Sequence, residues 1–370
     1  MKICVLGWYG TETLGDRAIL DGIVKIFAAL FESIEFHIGS LYPFFTERTL
    51  FEDRHLLCSM GCNFVIFNES NIGELKSHIR QCDIVLMGGG PLMDLREMYL
   101  VYRGIKYGKH IGKKTLLLGC GYGPLKTPEF QALVNRIFDY CDLVIFRDEE
   151  SKSHACSAGG KSANMIVLDD PAIASIIRAK KIYSKCTTGV FAAVNFRRFP
   201  SDEYGMSSFS EYEAAAIVDK LAVSHDVVKL VPMHTFCIGG DDREFLYEVK
   251  LACSAPNVEV MSMPPSLEEL YSIYSHAKTC VGMRYHSIVM QTILNGNNYY
   301  IDYTGSGGKI SAFFNHFGIR DCKKRCLFSV GTEEALNLTP LSNQLKSLTF
   351  DIGIDPIDSY IVSLYDWGIV

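Results

Sequence analysis

The sequence has 370 residues, a length that predicts two domains. Of these residues 48% are hydrophobic and 21% are charged, which is the composition of a globular protein. Its 36 basic and 42 acidic side chains give a formal net charge of -6, which excludes a broad cationic surface for nucleic acid. No apolar run is long enough to cross a bilayer, so we expect a cytoplasmic protein.

Short apolar runs alternate with amphipathic stretches along the first half of the chain, a pattern typical of a parallel sheet covered by helices on both faces. The predicted strands of this half are Lys2–Gly7, Ile34–Ile38, Asn63–Phe67, Ile84–Met87, Thr115–Leu118, Leu143–Phe146 and Met165–Leu168. A polar and basic stretch, residues 179–185, then indicates a linker.

The same alternation restarts after the linker. Its predicted strands are Gly189–Val194, Val227–Val231, Val258–Met261, Thr279–Val281 and Tyr299–Asp302. The pattern therefore predicts an α/β protein with two Rossmann-like, doubly wound domains, residues 1–178 and 187–345, that face one another across a cleft. A C-terminal helical segment, residues 346–370, is expected to pack back on the first domain.

Two glycine-rich loops follow predicted strands of the first domain, where doubly wound sheets bind ligands. The first loop ends at a helix start and offers Gly10 and Asp16 as ligand contacts, although its spacing is not the dinucleotide fingerprint. The alternative is an ordinary turn in which Asp16 caps the helix. The second loop offers the bare backbone of Gly89 and Gly90 to an anion or a sugar ring.

Arg147 comes directly after another predicted strand of the first domain. Its planar guanidinium suits a phosphate or a carboxylate, because it binds two oxygens at once. The alternative is a surface salt bridge to Glu149 or Glu150. Asp148 is predicted to cap the helix that follows.

The strongest chemical signal is the pair Arg284 and His286, with Ser287 beside them, at a strand-to-helix turn. A histidine transfers protons near neutral pH, so His286 is a candidate acid, and Arg284 is a candidate partner of an anion. The alternative is a histidine at a helix start that is hydrogen-bonded to a neighbouring carbonyl.

Further candidates end two strands of the second domain. Asn195 and Arg197 follow its first strand, while Gly308 and Lys309 close a glycine-rich bend that can present N–H groups and an ammonium to a phosphate. The bend is not a Walker P-loop, because the Gly-Lys-Ser/Thr ending is absent. The spacing of cysteines and histidines gives no zinc framework, so no metal is predicted.

Taken in order, these segments resemble the polysaccharide pyruvyltransferase family. The resemblance is carried by Gly15-Asp16, Gly88-Gly89-Gly90, Arg147-Asp148 with Ser151, Asp170-Pro171, Asn195 with Arg197, Pro232, Arg284-x-His286 and Lys309, from about residue 7 to residue 310. The chain departs from the family at Thr13, where an asparagine is usual, and at Tyr285, where leucine is common.

The resemblance implies a fold like that of the GT-B glycosyltransferases, with phosphoenolpyruvate as the donor substrate between the domains and no cofactor. It implies transfer of the pyruvyl group to a sugar of a surface polysaccharide or glycan precursor, with formation of a cyclic ketal and release of phosphate. His286 would then be the general acid, with Arg284 and Lys309 at the leaving phosphate and Arg147 and Arg197 as further cations. The base is not evident, and the candidates are Asp16, Asp94 and Asp170.

Two other functions stay open. A nucleotide-sugar glycosyltransferase shares the architecture but normally uses a carboxylate to hold the ribose, and none is evident in the sequence. In a non-catalytic carbohydrate-binding relative, the cations of the cleft would be dispensable.

The expected partners are phosphoenolpyruvate and a sugar or lipid-linked saccharide acceptor. The basic run Cys322–Cys326 is predicted to be a solvated loop, with peripheral contact to the anionic inner face of the membrane as the alternative. The sequence identifies neither the acceptor nor the oligomeric state.

Overall fold

The computed structural model describes residues 1–57, 61–183, 189–205, 207–305, 307–331, 335–343 and 345–370. The chain folds into two compact units. The first contains Met1–Glu12, Asp16–Ser175 and Gly353–Val370, and the second contains Thr13–Gly15 and Ile176–Ile352. The end of the predicted linker, the predicted start of the second domain at 187 and Ser306 in the glycine-rich bend lie outside the described residues.

The first unit is built on a parallel sheet of eight strands. They are β1 (Lys2–Leu6), β2 (Ile34–Ser40), β3 (Cys62–Asn68), β4 (Ile84–Gly88), β5 (Pro91–Leu92), β6 (Lys114–Tyr122), β7 (Leu143–Phe146) and β8 (Met165–Val167). Their order is β3-β2-β1-β4-β6-β7-β8, and the short β5 pairs with β6. The central strands are almost fully buried because helices cover both faces of such a sheet.

The helices of the first unit connect these strands. They are α1 (Leu14–Ala28), α2 (Pro43–Glu52), α3 (Arg54–Leu57), α4 (Ile72–Gln81), α5 (Met98–His110), α6 (Pro128–Tyr140), α7 (Glu149–Ser157), α8 (Pro171–Ile182), which runs on into the second unit, and α16 (Pro356–Asp366). The Asp148 carboxylate accepts the N–H of Ser151 at 2.6 Å, so its predicted role as the cap of α7 is confirmed. Asp16 lies in the first turn of α1, which begins at Leu14, so the prediction that Asp16 is the N-cap is wrong.

The second unit has a parallel sheet of six strands. They are β9 (Phe191–Val194), β10 (Val227–Leu230), β11 (Val258–Val260), β12 (Thr279–Gly282), β13 (Asn298–Asp302) and β14 (Cys326–Ser329), in the order β11-β10-β9-β12-β13-β14. The helices are α9 (Ser201–Tyr204), α10 (Glu211–Ala222), α11 (Asp242–Ala252), α12 (Leu267–His276), α13 (Tyr285–Leu294), α14 (Lys309–His316) and α15 (Thr339–Ser342).

Both sheets have the strand order of a doubly wound fold, so the prediction of two Rossmann-like sheets is confirmed. In each sheet the order reverses beside the first strand, between β1 and β4 in the first unit and between β9 and β12 in the second. Ligands of doubly wound folds bind beyond the carboxyl ends of the strands at such a reversal. Within the described ranges, no helix combines the length and apolar character that a bilayer crossing requires.

The basic run before β14 differs from the prediction. Arg325 is buried, its guanidinium donates to the carbonyl of Asn298 at 3.2 Å and it lies 5.3 Å from the ring centroid of Tyr299. Burial lowers the pKa of Arg325, and the carbonyl and the ring compensate its charge. The prediction of a solvated loop is therefore wrong for Arg325, although Lys323 and Lys324 are exposed.

Candidate functional site

The candidate site of the second unit lies where its strand order reverses. Arg284 follows β12 and precedes α13 as its N-cap, and its backbone N–H donates to Oδ1 of Asn195 at 3.1 Å. Asn195 follows the neighbouring strand β9 and is fully buried, with its amide donating to the carbonyl of Val231 at 3.0 Å. The Asn195 side chain thus ties together the ends of three adjacent strands.

The Arg284 side chain is held by Asp242, the first residue of α11. Its Nε lies 2.9 and 2.8 Å from the two carboxylate oxygens and its Nη2 lies 2.6 Å from Oδ1. The buried carboxylate also accepts the backbone N–H groups of Met233 and His234. Burial opposes the charge of Arg284, but the Asp242 carboxylate outweighs it and raises the pKa of Arg284. Arg284 is therefore a fixed, charged group.

Two more of the predicted cations share one aromatic ring. The guanidinium of Arg197 lies 5.9 Å and the ammonium of Lys309 lies 5.2 Å from the ring centroid of the buried Tyr303. Burial and the charge of Arg284 lower the pKa of Arg197, while the nearest carboxylate paired with it, that of Glu203, is 3.9 Å away. Positive charge is concentrated here, so a bound anion would relieve the repulsion.

His234 is neutral and holds the end of the first loop. Its Nε2 lies 2.6 Å from the carbonyl of Ile238 and its Nδ1 lies 2.6 Å from Oγ1 of Thr13. A carbonyl only accepts, so Nε2 carries the hydrogen and Nδ1 accepts the Thr13 hydroxyl. Burial, followed by the charge of Arg284, lowers the pKa of His234 to about 4.

His286 is the second residue of α13 and lies against Gly15. A Cβ atom at position 15 would overlap Nδ1 of the His286 ring, so only glycine leaves room for this ring. Tyr285 contacts the ring edge-on, with 4.9 Å between the ring centroids. The Gly15-Asp16 motif therefore has a packing role, because it fixes the position of the imidazole.

Ser287 and Gly308 take part in the internal packing of the unit. Ser287 is fully buried, and its hydroxyl lies 3.0 Å from that of Tyr274 and accepts the Gln291 amide at 2.9 Å. Gly308 is the N-cap of α14 and its N–H donates to the carbonyl of Gly305 at 3.1 Å. A side chain at position 308 would overlap that of Thr304, which explains the glycine.

The predicted glycines of the first unit lie in tight turns. Gly10, Gly89 and Gly90 have φ angles of 84°, 66° and 75°, a left-handed conformation that favours glycine. A Cβ at Gly90 would lie 2.7 Å from the Trp8 ring, and one at Gly10 would lie 2.6 Å from the Ser40 hydroxyl. These turns therefore require glycine, because the backbone is left-handed and because a Cβ atom would overlap neighbouring side chains.

Arg147 belongs to the first unit, whereas the other three predicted cations belong to the second. It is 5% exposed, donates to Oδ2 of Asp170 at 3.3 Å and lies 3.6 Å from Oδ2 of Asp148. Asp170 also accepts the N–H of Ala172 at 3.0 Å, at the start of α8. The candidate base Asp94 accepts the backbone N–H groups of two residues of the loop that follows β6.

Most of the chain matches one known protein family. The sequence profile of the polysaccharide pyruvyl transferase family matches residues 14–305. The chain belongs to the polysaccharide pyruvyl transferase family. The matched part of the chain contains Arg147, Asn195, Arg197, Arg284 and His286, and it ends shortly before Lys309. A comparison with curated protein sequences finds no match.

Solved structures similar to this chain include two UDP-GlcNAc 2-epimerases and a UDP complex of a protein named MnaA. The enzyme from Methanocaldococcus jannaschii, in complex with UDP-GlcNAc and UDP, is 12% identical over 100% of both chains, with a TM-score of 0.57. The enzyme from Neisseria meningitidis, bound to UDP-GlcNAc, is 11% identical over 85% of both chains, with a TM-score of 0.55. The MnaA–UDP structure from S. aureus is 15% identical over 81% of this chain and 78% of that chain, with a TM-score of 0.51. The likeness shows that this family member has a GT-B-like fold.

The roles of Asp242 and Tyr303 were not predicted from the sequence. Asp242 anchors Arg284 and Tyr303 underlies two cations. The pair Asp241-Asp242 at a helix start was a detectable signal for Asp242. A helix needs one N-cap residue, Asp241 is that residue, and the second aspartate is therefore left for another role. Tyr303 comes directly after β13, as Asn195 comes directly after β9.

Proposed function

We propose that this protein transfers the pyruvyl group of phosphoenolpyruvate to a sugar of a surface polysaccharide or glycan precursor. The product is a cyclic ketal and the leaving group is phosphate. The observation that carries the proposal is the gathering of Arg197, Arg284 and Lys309 around the end of the second sheet. Phosphoenolpyruvate carries a phosphate and a carboxylate, and several fixed cations suit two anionic groups.

The donor site uses cations with different surroundings. Asp242 fixes Arg284, so the orientation of its guanidinium is set before the donor arrives. Arg197 and Lys309 instead lie on the ring of Tyr303, with only a distant carboxylate beside Arg197. Their charge is therefore available to the donor.

The chemistry needs one proton at carbon and two new C–O bonds. His286 gives a proton to the methylene carbon of phosphoenolpyruvate, whose C=C electron pair forms the new C–H bond and leaves C2 electrophilic. A sugar hydroxyl adds to C2 and loses its proton. A second hydroxyl then displaces phosphate from C2 and closes the ketal, and its proton leaves with the phosphate. Arg284 and Lys309 stabilise the charge on the phosphate.

The test compares phosphoenolpyruvate-dependent phosphate release and the mass of the sugar product in the wild-type protein and in His286→Ala. The acceptors are p-nitrophenyl pyranosides of several configurations. We expect His286→Ala to bind the donor but to lose turnover by roughly 10²–10⁴-fold, the range for general acid catalysis. His110→Ala, at the exposed end of α5, is the matched control and should keep full turnover. Full turnover in His286→Ala would reject His286 as the acid.

A further inference from the structure

Several enclosed polar side-chain atoms of the first unit lack a hydrogen-bonding partner among the residues that the structure describes, and four of them lie at one edge of its sheet. These four are Nε1 of Trp8, Oε2 of Glu69, Oδ1 of Asp94 and the hydroxyl oxygen of Tyr122. Such atoms are rare in native proteins, because water or a ligand normally satisfies them. Glu69 stands out, since its side chain is 2% exposed.

All four residues lie at the same edge of the first sheet. Trp8 follows β1, Glu69 directly follows β3, Asp94 follows β5 and Tyr122 is the last residue of β6. The strands are parallel, so their carboxyl ends share one edge. The ring of Trp8 lies against Gly90, which follows β4, and this contact is at the reversal of strand order where doubly wound folds bind ligands.

Backbone contacts place Asp94 beside the segment that follows Tyr122, because the Asp94 N–H donates to the carbonyl of Pro124 at 3.4 Å. Oε2 of Glu69 would lie 2.9 Å from a Cβ atom at Gly39, on the strand between β3 and β1. Burial, followed by the Asp94 carboxylate, raises the pKa of Tyr122. Burial, followed by the carboxylate of Glu97, raises the pKa of Glu69 to about 8. Glu97 is the N-cap of α5, three residues after Asp94. We refer to the four side chains along this edge of the sheet as the strip.

The chemistry of this strip differs from that of the second unit. Trp8 and Tyr122 present half-buried aromatic rings that pack on the core of the first unit, and each ring carries a neutral hydrogen-bond donor. Glu69 and Asp94 supply carboxyl oxygens. None of the four is cationic, so the strip suits hydroxyl groups and an apolar ring face and does not suit a phosphate.

We propose that this strip, Trp8, Glu69, Asp94 and Tyr122, is a binding site for a pyranose ring, with the Glu69 carboxyl hydrogen-bonded to a sugar hydroxyl. Trp8 and Tyr122 supply the surface for the ring, and Asp94 accepts from a second hydroxyl. The identification of this sugar with the acceptor rests on the proposed function, whereas the binding site itself does not.

The chain offers a direct optical test, because it contains only two tryptophans, Trp8 and Trp367. Trp367 follows α16 as its C-cap, and Trp367→Phe leaves Trp8 as the sole tryptophan, which excitation at the red edge of the absorption band selects over the tyrosines. We titrate this variant with methyl pyranosides of glucose, galactose, mannose and their N-acetyl-2-amino forms. At least one of them should change the Trp8 emission saturably.

Variants in the Trp367→Phe background test Glu69. Glu69→Gln should raise the dissociation constant of that pyranoside at least tenfold, equivalent to about 1.4 kcal/mol. Glu32→Gln, at an exposed position of the first unit, is the matched control and should leave the dissociation constant of the pyranoside unchanged. An unchanged constant in Glu69→Gln, with circular dichroism like that of the wild type, would remove Glu69 from the site. In the full chain, Trp8→Phe keeps an aromatic ring and removes the indole N–H. This variant should bind the pyranoside more weakly, as measured by calorimetry.

Donor binding separates this inference from the proposed function. A folded Trp367→Phe protein that binds phosphoenolpyruvate, but whose emission no pyranoside changes, would overturn the sugar site and leave the proposed function standing. A pyranoside response in a protein that does not bind phosphoenolpyruvate would support the sugar site and count against pyruvyl transfer.

Discussion

The guanidinium of Arg284 donates hydrogen bonds from Nε and Nη2 to the buried carboxylate of Asp242, with Nε 2.9 and 2.8 Å from its two oxygens. Asp242 is itself fixed, because it begins α11 and accepts the N–H groups of Met233 and His234. The charge and direction of Arg284 therefore depend on a residue 42 positions earlier in the chain. In the proposed function, Asp242 is a positioning residue for the donor.

Removing the Asp242 carboxylate should destabilise the protein and weaken donor binding. Asp242→Ala leaves the buried charge of Arg284 without compensation, and we expect a loss of about 3–5 kcal/mol in the free energy of unfolding. Urea unfolding measures this loss, and calorimetry with phosphoenolpyruvate measures the affinity in Asp242→Asn, which keeps the shape of the side chain. Asp241→Ala is the control, because it removes the N-cap of α11 and a partly exposed ion pair with Arg243 but leaves the partner of Arg284 in place, and it should cost about 1 kcal/mol. Equal losses in the two alanine variants would contradict the account.

Adding one methyl group at Gly15 should disturb catalysis through His286. The Cβ of Gly15→Ala would overlap the imidazole, so the ring must move and turnover should fall. The His286→Ala background provides the check, because the overlap with the ring no longer exists there and only a contact of 3.1 Å with Cβ of residue 286 remains. Gly15→Ala should therefore have little further effect on turnover in that background. A double-mutant cycle of the rates measures this coupling. Independent, additive losses would show that Gly15 acts on something other than His286.

Glu69 should reduce the stability of the fold at alkaline pH. Its pKa is about 8 in the folded chain against an ordinary value of 4.5, so between these values the carboxyl is protonated when folded and ionised when unfolded. The folded state is therefore penalised as the pH rises above 4.5, and the penalty is complete above pH 8. Glu69→Gln should raise the free energy of unfolding by a few kcal/mol at pH 8 and by much less at pH 5. A difference between variant and wild type that does not change with pH would contradict the raised pKa.

The sequence was sufficient for features that depend on local pattern. Apolar runs such as Leu143–Phe146 indicate buried parallel strands, because strands covered on both faces need apolar side chains throughout. Asp148 was recognisable as a cap from its place before a helix. The helix start that carries Arg284 and His286 followed from the same alternation.

The partners of these residues could not be predicted, because they depend on which loops the sheet brings together. Asp242 and Arg284 meet only because β10 and β12 both flank β9. Arg325 has the sequence context of a solvated loop, yet the carbonyl of Asn298 and the ring of Tyr299 compensate its burial. Glu69 likewise looks like a surface residue after a strand, and only the packing around it shows that it is enclosed.

Calorimetry with phosphoenolpyruvate tests the central claim most directly, with UDP-GlcNAc as the competing ligand. The wild-type protein should bind phosphoenolpyruvate saturably, and Arg197→Gln should weaken that binding by about tenfold or more, because it removes a charge beside Arg284. Arg198→Gln is the matched control, since the neighbouring Arg198 is exposed and paired with Glu248. Saturable binding of UDP-GlcNAc, with no binding of phosphoenolpyruvate, would contradict the account and favour a nucleotide-sugar enzyme.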